Sequence, residues 1–190
     1  MIFTRTSIPD VIIIDPHIHG DERGYFVETF RQDKLEDFLG VKLSFCQDNE
    51  SHSSCGVLRG LHYQLPPFAQ SKIVRVINGE VLDVAVDLRV GSTTFGKHVA
   101  IKLNGENKRQ VFIPPGFAHG FVVLSETCTF AYKVDNFYNN SADRGIMFND
   151  KDLGIDWIVD TNKLKLSEKD LQQIPFKQAE YFKSIQAHCD

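Results

Sequence analysis

The central part of this chain alternates short apolar runs with turn signals, and that pattern constrains the fold more than any other feature. Residues 72–77 and 80–88 both alternate in hydropathy, and Asn78-Gly79 between them is a strong signal for a two-residue hairpin. Further strands are predicted at residues 97–103 and 110–113, and residues 121–124 and 127–134 are expected to form one more hairpin. Short strands about 8–12 residues apart predict an antiparallel sandwich or barrel.

Helix is predicted only at the periphery. Residues 32–39 form one short candidate, which Gly40 would end. Ser167 is a suitable N-cap for a second helix, with Asp170 three residues later completing an imperfect capping box. A third helix is expected after Pro175, to about residue 188. The prediction is therefore a mainly all-β barrel with short peripheral helices and a helical C-terminal tail.

Length and charge restrict the possible classes of function. A chain of 190 residues suits one domain, with a core over about 1–171 and a C-terminal extension over 172–190. The net charge of −4, without a basic stripe, argues against nucleic acid as a partner. The longest apolar runs are too short to span a bilayer, and no secretory signal is seen. The cysteines are Cys46, Cys55, Cys128 and Cys189, and none forms a C-x-x-C pair. Reduced thiols and a cytoplasmic location are expected.

The run Gly-Val-Leu-Arg-Gly-Leu-His-Tyr-Gln, residues 56–64, carries the strongest chemical signal. It places Arg59 three residues before His62, and Lys72 follows. An imidazole can act as a general base, an ammonium can stabilise an oxyanion, and a guanidinium can hold a phosphate. The alternative is a surface strand with a partly buried histidine. Because residues 59 and 62 face opposite sides of a regular strand, a shared pocket requires a bulge, for which Gly60 is suited.

Other candidate groups each have a structural alternative. His17 and His19 form an H-x-H pair, but no further ligands of matching spacing follow, so exposed loop histidines are expected rather than a metal site. His119 sits on a predicted turn rich in proline and glycine, where it either points into the barrel mouth or satisfies a local backbone group. Tyr132 is either a core tyrosine or a proton donor. Asp170 and Asp83 are both candidates to orient His62, or else solvated carboxylates.

Ordered sequence blocks at residues 20–28, 47–49, 56–64, 83–89, 114–121 and 166–170 carry a resemblance that covers nearly the whole chain. In these blocks the chain resembles the dTDP-4-dehydrorhamnose 3,5-epimerase family, the RmlC-like branch of the cupins. The resemblance implies a homodimeric jelly-roll barrel without metal or cofactor. It implies conversion of dTDP-4-dehydro-6-deoxy-D-glucose to dTDP-4-dehydro-L-rhamnose, in dTDP-L-rhamnose biosynthesis, by inversion at C3 and C5 through enolates.

Site residues follow from the resemblance position by position. His62 matches the base, Asp170 its partner, Lys72 the enolate-stabilising cation and Tyr132 the acid. Tyr138 matches the aromatic residue that stacks on thymine, and Asp143 stands where relatives have a glutamate. The segment from Arg23 to Glu28 matches one that completes the pocket of the partner subunit. The positions expected to bind substrate are Arg23, Phe26, Glu28, Gln47, Asp48, Asn49, Arg59, His119, Tyr138, Asp143 and Lys169.

Several alternatives remain at this level. Relatives with similar machinery invert only C3 or act on other nucleotide-linked 4-keto sugars. A metal-dependent cupin enzyme would need clustered histidine and glutamate ligands, which the sequence lacks. A catalytically inactive sugar-binding cupin would be expected to have lost His62, Lys72 or Tyr132, and all three are present.

Overall fold

Two antiparallel sheets packed face to face form the body of the molecule. The computed structural model describes residues 1–183. The strands are β1 (Ile2–Arg5), β2 (Ile12–Asp15), β3 (Ile18–Asp21), β4 (Gly24–Val27), β5 (Gln47–Ser54), β6 (Leu58–Gln64), β7 (Lys72–Asn78), β8 (Glu80–Asp87), β9 (His98–Asn104), β10 (Gln110–Ile113), β11 (Phe117–Val123), β12 (Thr127–Val134) and β13 (Asp143–Gly145). One sheet has the order β1-β2-β10-β7-β12-β5, the other has β13-β6-β11-β8-β9, and β3 and β4 form a separate hairpin.

The main core lies between the two sheets, as expected for a jelly-roll sandwich. Val74 and Phe130 of the first sheet pack there with Ala85 and Phe121 of the second. The outer face of the second sheet is also covered, because Val84, Val86 and Leu88 pack against later segments that contain Trp157 and Phe182. Both faces of β8 are therefore buried, with the two sets of side chains divided as the alternation predicted. The prediction of a mainly β, cupin-like fold is confirmed.

The two predicted hairpins are wrong, and the error has one physical cause. β7 pairs with β10 and β12, whereas β8 pairs with β11 and β9, so Asn78-Gly79 carries the chain from one sheet to the other. β11 and β12 likewise lie in different sheets. Gly79 has φ +89°, and a Cβ there would lie 2.2 Å from the carbonyl oxygen of Thr127. A tight turn reverses the chain but does not choose the neighbouring strand, which sheet packing decides.

Two predicted helices are confirmed. α1 (Gln32–Leu39) ends at Gly40, which has the left-handed conformation and donates its N–H to the Glu36 carbonyl over 2.8 Å. α2 (Glu168–Leu171) begins after Ser167, whose side chain accepts the backbone N–H of Asp170. A short 3₁₀ helix spans Thr161–Lys163.

The predicted C-terminal helix is wrong over the described residues. Only one 3₁₀ turn, Phe176–Gln178, follows Pro175. The chain then continues in extended form, because Phe182 exchanges backbone hydrogen bonds with Leu88 (3.1 Å) and Val90 (2.8 Å) and its ring is buried. Residues 184–190, which include the rest of that predicted helix and Cys189, lie outside the described part of the chain. No helix within residues 1–183 is long and apolar enough to cross a membrane.

Candidate active site

A bulge in β6 places Arg59 and His62 on the same side. His62 is opposite His119 and Arg59 is opposite Phe121, so three steps along β6 correspond to two along β11. Gly60 lies in this interval with φ +134°, and a Cβ there would be 2.5 Å from the backbone of β11. Glycine permits both the conformation and the close approach. The bulge that the sequence required for a shared pocket is confirmed.

The two sheets enclose a cavity at this point of the sandwich. Its volume is about 400 Å³, large enough for a small ligand. Side chains from β5, β7 and β12 form one wall, β6 and β11 form the other, and α2 closes one side. The lining residues are Asn49, Glu50, Ser51, Arg59, His62, Lys72, His119, Phe121, Phe130, Tyr132, Ser167, Lys169 and Asp170.

His62 is paired with a buried carboxylate. Its Nε2 lies 2.6 Å from Oδ1 of Asp170, which is 4% exposed. Burial raises the pKa of Asp170, but hydrogen bonds from His62 and Ser167 outweigh it and hold that pKa below its usual value. An ionised carboxylate only accepts hydrogen bonds, so Nε2 of His62 must carry the proton. The lone pair of Nδ1 is then free to accept a proton, as a general base requires.

Asp83 is paired with His119 rather than with His62. His119 Nε2 lies 2.7 Å from Asp83 Oδ2, and both side chains are buried. The sequence offered both Asp83 and Asp170 as partners of His62. In the structure, His62 is bonded to Asp170. His119 belongs to the cavity wall rather than to a local backbone contact, because its ring nitrogen bonds a carboxylate of the neighbouring strand β8.

Lys72 points into the cavity without a salt bridge to any carboxylate among residues 1–183. Burial lowers the pKa of Lys72 to about 8, and the charges of Asp83 and Asp143 limit the fall. The amine is therefore mostly protonated at neutral pH. A desolvated ammonium without a fixed counter-ion is suited to stabilising a developing oxyanion.

Tyr132 lies on the wall opposite His62. It belongs to β12 in the first sheet, whereas His62 belongs to β6 in the second sheet. Burial raises the pKa of Tyr132 above 10, and the charge of Arg59 partly opposes this rise. The phenol is therefore neutral at physiological pH and able to donate a proton. A ligand in the cavity would have a base on one side and an acid on the other.

A narrower cleft of about 160 Å³ extends the cavity towards the surface. Lys169 forms an ion pair with Asp143, and Tyr138 donates a hydrogen bond to the same carboxylate over 3.2 Å. The Gln47 amide donates to Asn49 over 2.7 Å on the inner face of β5. All five of these residues line the cleft, and the ring of Tyr138 is exposed.

Four of the predicted binding residues do not reach the cavity within one chain. Arg23 pairs with Asp21 on the exposed β3–β4 hairpin, where Phe26 is 69% exposed. Glu28 lies near Arg31 and Lys34 instead. Asp48 points to the outer face of β5 because side chains alternate along a strand, and it bonds Lys133 over 2.8 Å.

His17 and His19 are exposed, but His19 belongs to β3 rather than to the expected loop. Their rings lie 4.3 Å apart. Across residues 1–183, no group of three or more His, Cys, Asp or Glu side chains is placed to hold a metal ion.

Five residues that line the cavity were not among the predicted site residues, namely Glu50, Ser51, Phe121, Phe130 and Ser167. Ser51 is the one residue in the described part of the chain with a buried side-chain polar atom that lacks a hydrogen-bond partner. The alternation Gln47, Asn49, Ser51 along β5 could have placed its side chain on the inner face. Ser167 was identified only as a helix cap, whereas its hydroxyl also bonds Asp170. That contact has no signal in the sequence beyond the capping pattern.

Comparison with known proteins gives matches over most of the chain. Residues 5–178 match the family model described as dTDP-4-dehydrorhamnose 3,5-epimerase. A protein of that name from Shigella flexneri is 54% identical over 178 residues, which cover 94% of this chain and 97% of the relative. The structure of dTDP-6-deoxy-D-glucose-3,5-epimerase from Legionella pneumophila, in complex with dTDP-4-keto-L-rhamnose, has a TM-score of 0.92 at 45% identity. That match covers 96% of this chain and 97% of the other.

A less similar structure is a 3′-monoepimerase, ChmJ, from Streptomyces bikiniensis in complex with dTDP-quinovose. It is 32% identical, with a TM-score of 0.84, over 90% of this chain and 86% of that chain. Similar architecture therefore occurs in proteins named for inversion at one centre and for inversion at two. The extent of the sequence matches, together with the shared fold, shows that this chain belongs to the dTDP-4-dehydrorhamnose 3,5-epimerase family.

Proposed function

We propose that the protein is an epimerase that converts dTDP-4-dehydro-6-deoxy-D-glucose to dTDP-4-dehydro-L-rhamnose. The observation that carries this proposal is the placement of His62 and Tyr132 on opposite walls of one cavity that Lys72 also lines. Inversion of a carbon centre requires proton removal from one face and proton return to the other. A base and an acid on facing sheets meet that requirement.

The C4 ketone of the substrate acidifies the protons on C3 and C5. Nδ1 of His62 removes one of these protons, while Nε2 stays bonded to Asp170, whose charge stabilises the imidazolium. The Lys72 ammonium stabilises the negative charge that develops on the ketone oxygen. The Tyr132 phenol then returns a proton to the opposite face. His62 and Tyr132 each exchange their proton with solvent before the second centre reacts.

Arg59 supports binding of the diphosphate. Its guanidinium lines the cavity and donates to Ser53 Oγ over 3.2 Å and 3.3 Å. It forms no salt bridge with a carboxylate among residues 1–183, so its charge remains available for phosphate oxygens. The outer cleft, with Tyr138 at its edge, then receives the thymidine part of the substrate.

Incubation with dTDP-4-dehydro-6-deoxy-D-glucose in D₂O tests the proposal. NMR should show deuterium at both C3 and C5 and the L-rhamno configuration in the product. Deuterium at C3 alone, with inversion only there, would replace the proposal with a monoepimerase, as in ChmJ. Absence of exchange, with turnover of another nucleotide-linked 4-keto sugar, would keep the class of reaction but change the substrate.

The proposal includes a homodimer in which the β3–β4 hairpin of each chain completes the partner's site. The hairpin exposes Tyr25 (61%) and Phe26 (69%), and large exposed apolar side chains of this kind are typical of interaction surfaces. Arg23 lies on the same hairpin. Arg23→Ala should raise KM in a protein that stays dimeric by light scattering. A fully active monomer at micromolar concentration would contradict this part of the proposal.

We further propose that the whole chain forms one domain and acts in the cytoplasm. Phe176 and Phe182, beyond the core boundary at residue 171, pack into the cluster that also contains Trp157. Cys46, Cys55 and Cys128 are free thiols, which is consistent with a reducing compartment.

A further inference from the structure

The side chain of Ser167 forms the third member of a hydrogen-bonded chain that begins at His62. Asp170 uses Oδ1 for His62 Nε2 at 2.6 Å and Oδ2 for the Ser167 hydroxyl at 2.6 Å. The hydroxyl oxygen of Ser167 also accepts the backbone N–H of Asp170 over 3.1 Å. The serine oxygen thus accepts one hydrogen bond from the backbone, and its hydroxyl proton is donated to Oδ2 of Asp170.

We infer that Ser167 is a positioning residue for the epimerase reaction, one that fixes the Asp170 carboxylate so that it can hold His62 in the proton-accepting tautomer. This inference rests on the proposed function of the site. Ser167 acts through Asp170 and is not itself required to touch the substrate.

Two further observations support a role beyond helix capping. Ser167 lines the reaction cavity, whereas a cap alone could lie anywhere on the surface. The hydroxyl is also one of the groups that hold the pKa of Asp170 low, together with His62 and the Gly60 backbone amide, against the opposing effect of burial. Without the serine, one carboxylate oxygen would lose its donor in a buried position, which favours rotation or protonation of the carboxyl group.

The remaining charged groups near Asp170 do not replace this contact. Among the described side chains, only His62 and Ser167 hydrogen-bond the carboxylate. The other titratable residues that line the cavity are Glu50 on β5, Arg59 on β6, Lys72 on β7, His119 on β11, Tyr132 on β12 and Lys169 on α2. Lys169 forms its ion pair with Asp143 instead. Glu168, on the same short helix, is exposed.

Three substitutions separate positioning from capping. Glycine is nearly as good an N-cap as serine, so Ser167→Gly removes the hydroxyl with little effect on the helix. Ser167→Thr keeps the hydroxyl, and Ser167→Ala removes both the hydroxyl and the cap. We expect Ser167→Thr to keep the kcat of the wild type, and Ser167→Gly and Ser167→Ala to have a kcat about tenfold lower. In all three variants KM should change less than kcat. The melting temperature of Ser167→Gly should be close to that of the wild type, so a loss of activity in this variant would not be due to unfolding.

The pH profile of deuterium exchange is the readout that capping alone would not change. Loss of the serine donor removes one of the contacts that hold the pKa of Asp170 low, so the acid limb of kcat should move to higher pH in Ser167→Gly and Ser167→Ala. Ser167→Thr, which keeps a hydroxyl, should leave the acid limb at the pH of the wild type. Wild-type kcat and an unshifted limb in a folded Ser167→Gly protein would overturn the inference while leaving the proposed function intact.

A measurement without substrate keeps the inference testable if the substrate assignment fails. The ring proton on Nε2 of His62, bonded to a carboxylate, should give a downfield ¹H NMR signal that is absent in His62→Gln. The signal should persist in Ser167→Thr and broaden or shift upfield in Ser167→Gly. An unchanged signal in Ser167→Gly would refute the positioning role, whatever the sugar nucleotide.

Discussion

The charge of Lys72 should determine how the reaction rate falls at high pH. Because burial lowers its pKa to about 8, the amine is ~90% protonated at pH 7, ~50% at pH 8 and ~10% at pH 9. If the ammonium stabilises the enolate, kcat for deuterium exchange should fall about fivefold between pH 8 and pH 9. Tyr132 does not produce this limb, because its pKa is raised above 10.

Two substitutions identify the group that titrates. Lys72→Arg keeps a cation that stays charged across this range, so the basic limb should move beyond pH 9 even if the rate falls. Lys72→Gln should lower kcat by about 10²–10³ and lose the limb near pH 8, since a single oxyanion donor typically contributes this much. The assay is ¹H NMR of C3 and C5 exchange in buffered D₂O from about pH 6 to pH 10. A flat wild-type profile to pH 9.5, or an unchanged limb in Lys72→Gln, would refute the reasoning.

The same residue should reduce the stability of the fold. The pKa of Lys72 is lower in the folded chain than the ordinary value of 10.5, so the unfolded chain binds the extra proton. The destabilisation is complete below about pH 8 and disappears as pH rises from about 8 to 10.5. Lys72→Met should therefore raise the melting temperature at pH 7 and much less at pH 10.5. An equal gain at both pH values would show that packing, not charge burial, is responsible.

Further predictions concern the other cavity residues. His62→Ala should keep the fold by circular dichroism and lower exchange by about 10²–10⁴, and an unimpaired variant would remove His62 as the base. Tyr132→Phe should still exchange substrate protons through His62 but give much less inverted product, so the ratio of exchange to inversion rises. If exchange and inversion fall in equal proportion, Tyr132 positions the substrate instead. Ser51→Ala removes an unpartnered buried hydroxyl, so the melting temperature should rise by about 2–4 °C while KM for substrate increases. An unchanged KM would show that Ser51 does not contact the substrate. Activity should survive dialysis against a chelator, and its loss with restoration by zinc, iron or manganese would overturn a metal-independent mechanism.

Local sequence signals determined the elements whose structure depends on near neighbours. α1 begins and ends where the pattern and Gly40 predicted, and Ser167 caps α2. The alternation in β8 correctly divided its side chains between two faces. Gly60 marked the bulge that unites Arg59 and His62. In each case the sequence signal lies in a few neighbouring residues, although the bulge at Gly60 forms only when β6 pairs with β11.

Tertiary structure determined the features that depend on contacts between segments distant in the sequence. Asn78-Gly79 is a correct turn signal, yet it joins different sheets, because a strand takes the neighbours that bury its face and pair its backbone. Residues 179–183 are extended because backbone hydrogen bonds with Leu88 and Val90 and the burial of Phe182 outweigh the local preference for helix. The choice of Asp170 over Asp83 for His62 depends on contacts 108 residues apart along the chain, and no spacing rule encodes that distance.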